Sequence, residues 1–192
     1  MIIQYPIKKK KCSGNVLTFT DSTMKTALYG ILGTHCVDGE ITDEEADTIT
    51  YLPESFLFNN TNVTSLEDLF KCKNLQSINS NAFNRCTNIK GDLIIPSSVK
   101  QIGDFAFGFD NGLDGLLLIP NSVNKIDDRA FYRCNFSSII IGGAGNPVDD
   151  LSGYNTNIFT YVPSTTIVTV YNTTGTGDSG KFEGLTTNYV IA

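Results

Sequence analysis

The stretch IPSSVKQIGDFAF (95–107) returns as IPNSVNKIDDRAF (119–131) at a shift of 24, and its second half is matched upstream by SINSNAF (77–83) at the same shift. Ile78, Ile102 and Ile126 share one register, as do Ala82, Ala106 and Ala130, and Phe83, Phe107 and Phe131. Three coincident registers mark an internal repeat, the feature to seek before any element is assigned. The connecting pieces repeat as well: DLIIPSSV (92–99) and LLLIPNSV (116–123) place Pro96 with Pro120 and Val99 with Val123, and SSIII (137–141) is a shortened third copy. Upstream, YLPESFLFNNTNV (51–63) aligns with 77–89 at a shift of 26, and SLEDLFKCKNL (65–75) is an abbreviated unit. About five units thus cover residues 50–141.

Each unit supplies a short strand bounded by Pro or Gly and a compact turn. No unit can bury its apolar side alone, so successive units must stack into one continuous core with nearest-neighbour interfaces. The expected repeat core is Ile78, Phe83, Ile102, Phe107, Ile126 and Phe131, with the strands aligned in one parallel sheet.

The phrases IPSSVKQIGDFAF and IPNSVNKIDDRAFYRC resemble the BspA-type (treponemal) leucine-rich repeat, in which an IP dipeptide is followed by SV, IG, AF and a cysteine. The resemblance covers about half the chain, and TYVPSTTIVTVYNT (160–173) is similar to the closing element of such arrays. Asp110 stands where the cysteine is expected, Asp127 replaces the glycine found at Gly103, and the first units lack the strand. The resemblance implies an α/β repeat solenoid, a right-handed leucine-rich-repeat superhelix with a parallel sheet, a helical N-terminal cap and a β-rich C-terminal cap. The corresponding divisions are 1–49 for an N-terminal arm and helical cap, 50–141 for the repeats and 142–192 for a C-terminal β cap.

Residues 21–48 read as two helices around a loop, with Asp21 or Ser22 as N-cap, Gly33 as C-cap and Thr42 capping DEEADTI. The loop from Thr34 to Glu45 is similar to an EF-hand loop, but Thr34 and Cys36 occupy positions that need carboxylates to hold calcium, so no metal is expected. Cys12, Cys36, Cys72, Cys86 and Cys134 are odd in number and lack CxxC spacing, and read as buried thiols. The only histidine, His35, adjoins Cys36, and adjacent side chains do not face each other as a catalytic pair must.

The chain of 192 residues carries a net charge of −6 and 18% charged residues. That excludes wholesale disorder and disfavours nucleic acid, whose phosphates are gripped by clustered Lys and Arg. No paired-carboxylate motif, nucleophile elbow or phosphate-cradling loop appears, so the chain reads as a non-enzyme without a cofactor. No stretch is long and apolar enough to span a membrane, and MIIQYPIKKKK lacks the apolar core of an export signal. The family resemblance implies a protein-interaction module. Its partner would be a protein or a cell-surface glycan, met in adhesin-like surface or host recognition or in a larger assembly. One such assembly is a bacteriophage virion, where the chain would be a structural or accessory subunit. Without an export signal, the expected setting is a virion, a cytoplasmic assembly, or the cell surface by a non-standard route.

The expected binding surface is the outer side of the strands. If Leu93, Ile95, Leu117 and Ile119 point inward, strict alternation turns Ile94, Leu116 and Leu118 outward. A one-residue deletion in the third copy then puts Ile139 and Ile141 in the outward register. Strands that are apolar on both sides are usually covered on both sides, either by a partner or by a chain end folding over them.

Overall fold

The computed structural model describes residues 14–33, 39–143, 151–155, 157–172 and 185–191. Helix α1 (Ser22–Leu32) begins at Asp21, whose carboxylate accepts the Met24 N–H at 2.9 Å, and ends at Gly33 with φ of 63°. Helix α2 (Asp43–Ala46) is closed by a capping box between Thr42 and Glu45. It is shorter than the sequence suggests because the Thr48 and Ile49 N–H groups donate to Glu45 and Ala46, one residue nearer than in an α-helix, which tightens the turn and buries Ile49. Two buried carboxylates fasten this cap to the repeats: Asp68 accepts the Thr20 and Asp21 N–H groups, and Asp21 accepts that of Thr64 at 2.7 Å. Glu45, the last ligand position of the EF-hand-like loop, is used by the Thr42 N–H at 2.8 Å. Thr34 and Cys36 of that loop lie outside the described residues.

The repeats wind into a solenoid with two parallel sheets, where one was expected. Strands β1 (Tyr51–Leu52), β2 (Ser77–Ile78), β4 (Gln101–Ile102) and β6 (Lys125–Ile126) form the first. Strands β3 (Leu93–Ile94), β5 (Leu116–Ile119), β7 (Ser138–Ile141), β8 (Ile167–Asn172) and β9 (Thr186–Ile191) form the second. The first sheet hides from a periodicity reading because each of its strands holds a single inward-outward pair, too short to show alternation. The C-terminal segment joins the second sheet, with β8 parallel to β7 and β9 parallel to β8.

Between the sheets lies a core of aligned columns. Leu52, Ile78, Ile102 and Ile126 stack inside the first sheet and are fully buried. Phe83, Phe107 and Phe131 stack at centroid distances of 5.4 and 5.6 Å with planes 12° and 4° apart, and Phe159 extends the stack at 5.5 Å. Phe56 closes one end edge-on at 5.9 Å and 89°. Offset parallel rings and an edge-on terminator are both favoured by the aromatic quadrupole. Gly103 belongs to the repeat because a side chain there would strike the Ser80 backbone of the preceding turn. At Asp127 the side chain turns out to meet Lys125 at 2.9 Å.

Phe107 is fully buried with a ring on either side, so Phe107→Ala opens a cavity and loses both stacks. The expected cost in a denaturant titration is about 3–5 kcal/mol. A loss below about 1 kcal/mol would mean that the column does not carry the core.

Candidate functional site

The outer side of the second sheet is the first candidate. Pairing sets Leu93 against Leu117 and Leu117 against Ile139, and all three are buried. Ile94, Leu118 and Ile140 form the adjoining outward column, and Leu116 and Ile167 stand in the next one, to either side of Ser138. Ile139 and Ile141 are therefore core residues, at 0% exposure, and the outward assignment made for them is corrected. Ile139 pairs with Leu117 at a shift of 22, so the third copy is shorter than its neighbours by an even number of positions. An even deletion preserves the inside-outside parity that a one-residue deletion would have reversed. Ile94 is 39% and Ile167 47% exposed, while Leu116, Leu118 and Ile140 are half-buried. Beside Ile94 opens a groove of about 250 Å³ lined by Leu66, Phe70, Lys90 and Asp92, in which Phe70 is 48% exposed.

A second candidate, absent from the sequence-based expectations, lies on the turns between the sheets. Within each turn, alternate N–H groups point along the solenoid axis and donate to the next coil: Asn81, Phe83 and Arg85 to Asp104, Ala106 and Gly108, and Phe105, Phe107 and Phe109 to Asp128, Ala130 and Tyr132. The flanking residues of each triplet need left-handed backbone to do so. Ser55, Asn59, Asn81, Arg85, Phe105, Phe109, Arg129 and Arg133 accordingly have φ between 50° and 65°, and Tyr161 has φ of 61°. Bulky side chains at such positions are outliers, since a Cβ there approaches the next carbonyl oxygen at a cost of roughly 1–2 kcal/mol each. The axial hydrogen bonds offset that cost.

These positions carry an alternating ladder. The Arg85 guanidinium lies 4.6 Å from the Phe109 ring centroid, Arg133 lies 5.7 Å from the same ring, and Arg133 is also 5.3 Å from Tyr161. In the neighbouring column Arg129 sits 5.6 Å from Phe105. Tyr132 joins the columns, at 4.9 Å from Phe109 and 5.5 Å from Phe105. Arg85, Arg129 and Arg133 are all the arginines of the chain. That coincidence of residue type and register was the signal available in the sequence.

No three His, Cys, Asp or Glu side chains among the described residues are grouped to hold a metal ion, and none of their helices is long and apolar enough to cross a membrane. Burial pushes the Cys72 and Cys86 thiols up to about 12 and the Cys134 thiol well above its ordinary value, so none of the three is a thiolate at neutral pH.

A family model described as the BspA type leucine rich repeat region matches the chain in six copies, over residues 50–113 and 76–190. No curated protein matches. A solved leucine-rich repeat protein from Bacteroides ovatus ATCC 8483 is similar at 13% identity, covering 73% of this chain and 64% of that one. This chain thus corresponds to less than two thirds of that protein's length, at a TM-score of 0.20.

One departure from the repeat has a physical cost. Cys86 and Cys134 donate their thiols at 3.0 Å to the carbonyls of Leu57 and Phe107 in the preceding turns. Asp110 occupies the position between them, fully buried, and neither carboxyl oxygen completes a hydrogen bond. Burial pushes its carboxyl up to about 9, offset only in part by the nearby Cys86 backbone amide, so the folded protein holds it as a neutral acid at pH 7. The folded state therefore binds this proton more tightly than the unfolded chain, and the stability it contributes falls as pH rises from about 4 towards 9. Asp110→Cys should raise the melting temperature at pH 7, with the gain shrinking as pH approaches 4. An equal gain at pH 4 and pH 7 would contradict a neutral buried Asp110.

Proposed function

The chain belongs to the BspA-type leucine-rich repeat family, and from that premise we propose that it is a non-enzymatic protein-interaction module whose protein partner docks on the outer side of the five-stranded sheet. Repeats of this family suggest a protein-interaction module. The observation that carries the finer reading is the apolar outward surface of Ile94, Leu116, Leu118, Ile140 and Ile167, which spans four neighbouring strands. A sheet side meant for water alternates to polar residues, whereas this partly exposed surface is apolar apart from Ser138 and Thr169, a pattern that supports an interface. An apolar stripe suits a protein surface better than a free sugar, so assembly as a subunit on a larger particle, such as a virion, is favoured over an adhesin-like role in glycan recognition.

Leu118 sits at the centre of that surface with its side chain turned away from the core. Leu118→Asp should leave the melting temperature of the isolated chain within a few degrees. It should lower co-fractionation with purified particles by at least about tenfold, because docking would bury an unpaired carboxylate. A Leu118→Asp chain that co-fractionates as the wild type does would refute docking on this side. Recovery of the wild type only with cell envelopes would replace assembly with the adhesin-like reading.

A further inference from the structure

The arginine and aromatic ladder on the turns is not used by docking on the sheet, and the fold does not require it. The same left-handed positions in the first coils are filled by Ser55, Asn59 and Asn81. Asparagine adopts that backbone with little strain, so Arg85, Phe109 and Arg133 keep bulky side chains where a small polar one would fold more easily. Strain held at side chains that the backbone does not need points to a surface role.

The ladder gathers all three arginines of a chain whose net charge is −6. Arg85 from the preceding coil and Arg133 from the following one lie over the Phe109 ring at 4.6 and 5.7 Å, and the Phe105 and Tyr132 rings pack against it at 6.4 and 4.9 Å. Arg129 is already paired with Asp128 at 3.4 Å. Arg85 and Arg133 have neither a carboxylate within ion-pair distance nor a side-chain hydrogen bond among the described residues, and both are exposed. Their donors are thus unspent, and the rings hold the side chains in place before any ligand arrives, which lowers the ordering cost of binding.

Spacing selects the kind of anion. Successive coils rise by roughly 4.8 Å, so two arginines two coils apart lie on the order of 10 Å from each other, with one ring between them. An extended peptide presents same-side groups every roughly 6.7 Å and falls out of step. Stacked nucleobases need an open ring face, and Phe109 is already packed against two guanidinium groups and the Phe105 and Tyr132 rings. A sugar chain with an acid on every second unit matches both the interval and the uncharged spacer. We propose that this ridge binds an acidic polysaccharide, with uronate carboxylates of alternate sugars on Arg85 and Arg133, the intervening sugar against the half-buried Phe109, and Tyr161, 68% exposed, extending the track.

The test is titration of the full chain with a hyaluronan oligosaccharide, in which uronate alternates with an uncharged sugar. Chitin oligosaccharide, polyglutamate and oligothymidylate of similar length serve as comparisons. The wild type should bind hyaluronan saturably, with affinity falling as salt is raised. The double variant Arg85→Asn/Arg133→Asn should melt at or above the wild-type temperature and lose at least about tenfold in affinity. Leu118→Asp should bind hyaluronan as the wild type does, which separates this site from docking on the sheet. The proposal is overturned by absent binding, by undiminished binding in the double variant, or by polyglutamate or oligothymidylate binding as tightly as hyaluronan. Equal binding of uncharged chitin would likewise overturn it.

Discussion

Every coil of this solenoid is tied to the next by N–H groups that point along the axis, and a turn aims three alternate N–H groups that way by holding the first and third of those donor residues in left-handed backbone. The left-handed positions at Asn81, Arg85, Phe105 and Phe109 are that device. With it, the turn keeps one length from coil to coil, Phe83, Phe107 and Phe131 fall above one another, and the isoleucines of the first sheet pair in register. Without it, the axial donors would be buried unpaired, which costs more than the strain.

Both surfaces are by-products of that same constraint. Holding the turns in one register lines up the side chains of the left-handed positions into columns, and parallel pairing from coil to coil fixes which strand residues face away from the core. One surface is apolar and follows the strands; the other is cationic and follows the turns. The two differ in the chemistry they can recognise, so one chain can be anchored through the first while the second stays open to another ligand.

Much of this was legible because it is periodic. The Phe and Ile columns could be read from their constant interval alone, and Asp21, Gly33 and Thr42 cap the helices as their residue types imply. Other features were not legible. The strands of the first sheet are below the length at which alternation carries a signal. The outward column was misassigned at Ile139 and Ile141 because parity depends on whether a deletion is odd or even, which pairing reveals and residue type does not. Phe159 joins the phenylalanine stack although its shift from Phe131 is longer than the one that separates Phe107 from Phe131, an irregularity that geometry absorbs and a fixed period cannot. The arginine ladder was hidden for another reason, since left-handed backbone is expected of Gly and Asn and these positions hold Arg, Phe and Tyr.

The central claim is that the coils are interchangeable units of one fixed register. Deleting residues 101–124 removes one full coil and joins Lys100 to Lys125, so that SSVK runs into KIDDRAF as it now runs into QIGDFAF. Cooperative thermal unfolding of that deletion, compared with a deletion of 101–112, tests it most directly. The account predicts a folded protein with a lower melting temperature for the full-coil deletion and loss of cooperative unfolding for the half-coil deletion. Equal loss of folding in both would contradict it.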